Sequence, residues 1–562
     1  MSSPHKGRQA MIPLKIITRL PAAFLKLFLL LTALQVSVYL PIAQAAEVPK
    51  GIKLSKDQTL KRALRGDPES LDPHLAIGIP EDQVTRELFE GLVTQDLQGN
   101  IIPGQAESWT TSGDGTVWTF TLRKGLTWSD GKPLTAADFE YSFKRLANPD
   151  TASPYAWYLG AMGIQNASEI TKGKKPVSTL GVKAGPGNTL TLELNHSAPY
   201  LLAMLTHRSM NPVPRAAVES HGRDWATPGK IVVNGPFTLT KRVIREQIVL
   251  NKNPEYWNQK NTVLTEITLL PIESETAALN RYRAGELDIV SSIPTTHFTK
   301  LSNQMPEQLK TSPSLATYYL TFNTREKPFD DVRVRKALSY TLQRELITNN
   351  IMGQGQTAAY TFTPETVTGF IPPEPGYKKM SAQERLSEAK KLLQAAGYSK
   401  EKPLTFNYIY NATDSNKHIA VAIQEMWQKS LPVKVNLESL EWSTYLQRKL
   451  DGQYQVARAL WGGDYDDAIT MLDVHTPEHG NNSSFYNSKQ YNQLLDQAKQ
   501  TLNREERNRL YAEAELILAS DMPIAPVYWN SNNYLIKPDL RGVSYDNPEG
   551  RIYSREIYRI EQ

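Results

Sequence analysis

Trp118-Thr119-Phe120-Thr121-Leu122 alternates large apolar with small polar side chains, so these five residues read as a strand with one face in a core. Ile231-Val232-Val233, Ile267-Thr268-Leu269-Leu270 and Pro526-Val527-Tyr528-Trp529 are bounded by Gly, Pro or Asn and read the same way. Around them, residues 275–285, 331–349, 382–396 and 504–520 carry apolar side chains at helical spacing. The last of these follows Asn503, a capping residue, with Glu506 three positions on. Strands interleaved with helices of ordinary length predict a mixed α/β chain. Gly, Pro and Asn cluster at 147–154, 181–188 and 369–377, which predicts loops there and domain seams near 90, 215 and 315.

At 562 residues the chain is too long for one ordinary core, and two or three domains are expected. Charged residues at 22% and hydrophobic ones at 40% exclude a disordered or multispanning chain. The net charge of +5 comes from the first 45 residues, which hold Lys6, Arg8, Lys15, Arg19 and Lys26 and no acid. The rest is balanced, with as many basic residues as its 58 acidic ones, and has no global attraction for nucleic acid. The basic stretch runs into an apolar segment from Phe24 to Leu40 and then Ala43-Gln44-Ala45, the order of a secretory signal peptide over 1–45. A soluble protein exported to a bacterial periplasm is expected. The absence of cysteine excludes disulfides, thiol nucleophiles and thiolate zinc sites.

Catalytic signatures are scarce. No phosphate-binding glycine loop is present, and Gly353-Gln354-Gly355 lacks a third glycine. His475-Thr476-Pro477-Glu478-His479 departs from a zinc helix because Pro477 spoils the face that two ligands need, so a polar loop is expected and no metal. Asp464-Tyr465-Asp466-Asp467 places three carboxylates in four residues, a pattern open to acid/base work, a hard cation or a solvated loop. The chain holds 26 Tyr and 10 Trp against 14 Phe, and such side chains build walls for variable polar ligands as readily as they fill cores.

Longer segments carry a resemblance. Ser70-Leu71-Asp72-Pro73-His74, Leu88-Phe89-Glu90-Gly91-Leu92, Asn234-Gly235-Pro236-Phe237, Asn253-Pro254-Glu255-Tyr256-Trp257 and Asp331-Val332-Arg333-Val334-Arg335-Lys336-Ala337-Leu338 occur in order across the mature chain. Together they resemble the extracytoplasmic solute-binding proteins of the peptide/nickel type, and within it the oligopeptide-binding and murein tripeptide-binding proteins. The resemblance implies a two-lobed periplasmic binding protein of class II, three-domain peptide-binding type, with a hinged ligand cleft. By similarity, lobe I takes 46–89, 215–315 and 532–562, an accessory domain takes 90–214, and lobe II takes 316–531. It also implies a binding protein, not an enzyme, without a cofactor. As a monomer it would hand a short peptide to the membrane permease of an ABC importer.

In that family the peptide lies extended and pairs its backbone with protein strands. The matching positions are Ile77, Gly78 and Ile79 on one lobe and Leu460, Trp461 and Gly462 on the other. Asp464 stands where the family binds the ligand α-ammonium, with Asp466 and Asp467 expected as surface acids. Arg458 matches a basic cleft residue, able to pair Asp464 in the empty protein or to meet a ligand carboxylate. Trp442 resembles a pocket wall, as does Trp461, and Tyr155, Tyr319 and Tyr528 match cleft aromatics. The murein type holds an extra ligand carboxylate with an arginine, where this chain has Lys449 beside Arg448; lysine lacks the bidentate fork. Ala316 and Gly462 replace a cysteine pair of the oligopeptide binders, and Ile77 replaces an acid. Rival readings are a nickel-, haem- or dipeptide-binding relative, a periplasmic hydrolase using Asp464 and Asp466, and a chaperone-like scaffold.

Overall fold

The computed structural model describes residues 48–291 and 293–561; the leader expected over 1–45 lies outside the described residues. Among the described residues no helix is long and apolar enough to cross a membrane.

An eleven-stranded sheet runs in the order Val433–Leu440, Leu404–Asn411, Val456–Gly462, Leu309–Phe322, Ile524–Ile536, Ile289–Val290, Thr59–Leu64, Glu266–Pro271, Gln247–Lys252 and Phe237–Val243, with Thr357–Ala358 also on Ile524–Ile536. Its two longest strands, Leu309–Phe322 and Ile524–Ile536, pair antiparallel in two stretches, 309–313 on 531–535 and 317–321 on 524–529. Between them residues 314–316 stand opposite residue 530 alone, and the ladder is interrupted. Such an irregularity bends the strands and loosens one half of the sheet from the other. Leu60, Phe89, Trp225, Phe237 and Ile267 are buried around one half. Leu320, Phe322, Leu338, Phe406 and Trp427 are buried around the other. The fold is therefore α/β and two-lobed.

A separate four-stranded sheet, ordered Ala106–Thr111, Val117–Leu122, Thr189–Glu193 and Val182–Gly185, covers the helix Ala136–Ala147. Trp118 and Phe120 alternate into its core against Phe139 and Phe143, as the period-two pattern predicts. That core continues into Tyr465, Leu472, Tyr491 and Leu510 of the second lobe.

The quoted motifs build one polar knot. Gly235 donates its N–H to Leu88 O at 2.9 Å, and a Cβ there would lie 2.5 Å from the Leu88 carbonyl carbon, so only glycine fits. Asn234 brackets Glu90 with two hydrogen bonds, of 2.8 and 3.2 Å, and Asn253 donates to Gly235 O at 2.8 Å. The buried Glu90 carboxylate accepts from Tyr256 Oη and Trp257 Nε1, both at 2.6 Å, and from Gln105 at 2.8 Å. Similarly, Asp72 accepts from Arg145 at 2.6 Å and from Trp225 Nε1 at 2.9 Å.

Three local expectations are corrected. Ile231-Val232-Val233 joins no sheet, because the anchored Asn234-Gly235 draws the segment across a loop where Val233 pairs only with Ser129. The helix expected over 331–349 breaks after Val332–Tyr340 and resumes as Arg344–Leu346 and a wide turn over Ile347–Met352. Arg344, fully buried, takes Ala359 O and Pro526 O at 2.8 Å as well as Ser339 O at 3.1 Å, so contacts to two distant segments hold the chain where the helix would continue. The expected loop 181–188 contains the strand Val182–Gly185, turned into Thr189–Glu193 by Gly187 and Asn188, both with positive φ.

Candidate functional site

Val456–Gly462 pairs with Leu309–Phe322 along its whole length, from Val456 on Phe322 to Gly462 on Ala316. On its other side Leu404–Asn411 meets only Val456 and Ala457. From 458 to 462 that edge carries no partner strand among the described residues, an edge able to accept one more strand. Alternation sends Arg458, Leu460 and Gly462 to one face; Leu460 is 40% exposed and Gly462 exposed. Trp461 turns the other way, donating Nε1 to Thr470 O at 2.8 Å.

Asp464 follows the strand. Its backbone is held by Thr470 Oγ1 at 3.0 Å and by Arg551, which donates to its carbonyl at 2.8 Å. Its carboxylate has no hydrogen bond or ion pair among the described residues. Burial pushes its pKa up to about 6; Arg208 and Arg551 pull it down and Asp82 raises it further. Asp464 faces a cavity of about 300 Å³ that Ile77, Gly78, Ile79 and Tyr155 also line. Ile77 and Ile79 are 62% and 56% exposed, and Gly78 is the extended N-cap of the helix Ile79–Leu88, so the backbone is strand-like only up to Gly78. Glu81 folds back to accept from Glu69 N at 2.7 Å and lies where a Gly78 Cβ would stand, at 2.2 Å. Tyr155 Oη accepts from Arg208 at 3.1 Å, and its ring packs on His207, 4.6 Å between centroids.

Asp467 is corrected from a surface acid: it is largely buried, caps Ile469 N at 3.1 Å and pairs Arg507 at 3.5 Å. Asp466 accepts from Thr368 N at 2.8 Å. His475 is no polar loop residue either; it is buried, with its ring 4.5 Å from that of Phe362.

Arg458 pairs with no carboxylate among the described residues, so of its two alternatives the pairing with Asp464 is not made here. Its guanidinium lies 5.2 Å from the Tyr318 ring centroid, and its buried Nε has no hydrogen-bond partner among the described residues. Tyr528 stacks on Tyr318 at 4.8 Å, and Tyr445 donates its hydroxyl to Arg458 O. Lys449 completes the group with its ammonium 5.9 Å from the Tyr445 ring; burial and then Arg458 push its pKa down to about 8. Trp442, 54% exposed, stacks on Tyr445 at 5.8 Å. Arg448 turns away to Glu438 and Gln453 O. Tyr319, one residue from Tyr318, lies on the opposite face against Phe362 and His475. Reading the sequence missed Tyr318 and Tyr445, although Tyr445 follows Trp442 at helical spacing. It also missed Arg65, Asp82, Arg208 and Arg551, which carry no local signal.

An interrupted ladder between two lobes, an open strand edge and unpaired charges of both signs define a class: a hinged protein that closes on a ligand. Residues 100–483 match the family of bacterial extracellular solute-binding proteins, family 5 middle, and the chain belongs to it. The chain is 43% identical over 520 residues to the periplasmic oligopeptide-binding protein OppA of Salmonella typhimurium, covering 92% of this chain and 96% of the relative. Identity and coverage are the same for the periplasmic murein peptide-binding protein MppA of Escherichia coli. The solved structure of the E. coli murein tripeptide binding protein MppA superimposes with a TM-score of 0.83 at 43% identity, over 91% of this chain and all of that one.

Proposed function

We propose that this chain is the periplasmic binding component of an ABC importer, that it captures short peptides between its lobes, and that it hands them to a membrane permease. The observation that carries this reading is the open edge at 458–462 ending beside a carboxylate with no cation of its own. A peptide laid along that edge satisfies backbone groups common to all sequences, and its ammonium meets Asp464. The aromatic enclosure of Arg458 and Lys449 suits a ligand carboxylate, since two cations held together without an acid are stabilised by an anion. Closure turns about the interruption at 314–316, with 46–89, 215–315 and 532–562 moving against 316–531, because only the closed state lets the ligand touch both lobes.

Isothermal titration of the mature protein with trialanine tests this reading. Stoichiometric binding is expected, weakened at least thirtyfold, or about 2 kcal/mol, by Asp464→Asn, with the peptide recovered intact. Equal affinity of the two proteins, or cleavage of the peptide, overturns it.

A further inference from the structure

The 300 Å³ cavity holds more charge than one carboxylate. Asp82, Asp464 and Glu549 line it, and so do Arg65, Arg208 and Arg551. Four of these six are already paired. Asp82 holds Arg86 at 2.7 Å and Arg208 at 3.4 Å, and Glu549 holds Arg551 at 2.7 Å. Arg208 further donates to Ala76 O and Tyr155, and Arg551 to Gln95, Thr206 and Asp464 O. His207, also on the wall, is held well below the usual imidazole range by burial and then Arg208, so it adds no charge.

Asp464 and Arg65 remain. Arg65 donates a single hydrogen bond, from Nη2 to Ser291 O at 2.7 Å, and has no carboxylate within 4 Å among the described residues. It is exposed on the loop that follows the strand Thr59–Leu64 and lines the same cavity as Asp464. It also lines a neighbouring hollow with Glu273 and Glu275, without an ion pair to either among the described residues. A guanidinium with most of its donors free is a ready bidentate partner for a carboxylate.

Resting on the peptide reading of this cleft, we infer that Arg65 is a specificity-determining residue, selecting peptides that carry a side-chain carboxylate on one of their first three residues. The ammonium at Asp464 fixes the N-terminus, so a side-chain carboxylate in the same cavity is necessarily near that end. The contact is partly open to water, which limits it to a modest preference.

The test is isothermal titration at low salt with trialanine and with six variants of it, bearing one Glu or one Gln at position 1, 2 or 3. The native protein is expected to bind the Glu peptide about five- to tenfold more tightly than the Gln peptide at one position at least. Arg65→Gln removes that ratio, Arg65→Lys keeps part of it, and added salt shrinks it. Glu and Gln peptides binding equally at every position overturn the inference while the peptide reading stands. A ratio that survives Arg65→Gln also overturns it and assigns the carboxylate to another cation. Failure of every peptide, trialanine included, overturns the reading beneath it.

Discussion

Two charged regions of this molecule are built to opposite rules. Around Glu90, each buried group is answered: two carboxylate oxygens receive Tyr256, Trp257 and Gln105, Asn234 closes the backbone, and Arg555 stands 3.6 Å away. Around the cleft, Asp464, Arg458 and Arg65 form no ion pair among the described residues, and burial and then Arg458 push the Lys449 pKa down. A satisfied polar network fixes one conformation, whereas an unsatisfied one raises the free energy of the empty state until a ligand completes it. The first region serves stability; the second gives up stability for binding.

The largest effect is expected where the satisfied network is broken. Glu90→Ala leaves Tyr256, Trp257 and Gln105 without their acceptor, takes one of two carboxylates from Arg555, and lowers the free energy of unfolding by about 3–5 kcal/mol, measured by urea denaturation at neutral pH. A loss below 1 kcal/mol breaks the contrast.

Asp464→Asn moves stability the other way. Its carboxyl pKa is raised from 3.8 to about 6, so the folded state holds a proton that the unfolded state releases. Unfolding stability contributed by this group therefore falls as pH rises from about 4 to 6, by roughly 3 kcal/mol, and stays low above. The empty Asn variant is expected to lack that slope and to be more stable than the native protein at pH 7; an identical pH profile refutes the assignment.

The smallest effects separate two neighbours. Lys449→Met is expected to weaken peptide binding about tenfold and to abolish a fall in affinity above pH 8, where the free lysine loses its charge. Arg448→Ala, which removes an outward pair with Glu438, leaves binding unchanged and costs less than about 1 kcal/mol of stability.

Much of this was legible in the sequence because the relevant signals are local. The alternation in Val117–Leu122 and the Asn503 cap of Arg504–Asp521, made at 3.0 Å to Glu506 N, need only near neighbours. Asn234-Gly235 could be recognised as a motif, but its purpose appears only in the approach to Leu88. The failures share a cause. Ile231-Val232-Val233 has strand composition but is held by Ser129, and 331–349 has helical spacing but an arginine tied to Ala359 O and Pro526 O. In both, contacts from elsewhere in the chain overrode a local preference. The sequence reading names Tyr319 and not Tyr318, and only the sheet register tells which of the two faces Arg458.

The sequence by itself determined the α/β alternation, the balanced charge beyond residue 45 and the ordered motifs of the family, since periodicity, caps and turn residues act over a few positions. Tertiary structure alone decided which charges are paired. Asp464 and Asp467 stand three residues apart, yet Asp467 meets Arg507 and Asp464 forms no ion pair among the described residues, while Arg65 reaches the Asp464 cavity from the far end of the chain. Burial and pairing depend on distance through space, where a carboxylate's nearest neighbours bear no fixed relation to its neighbours in sequence.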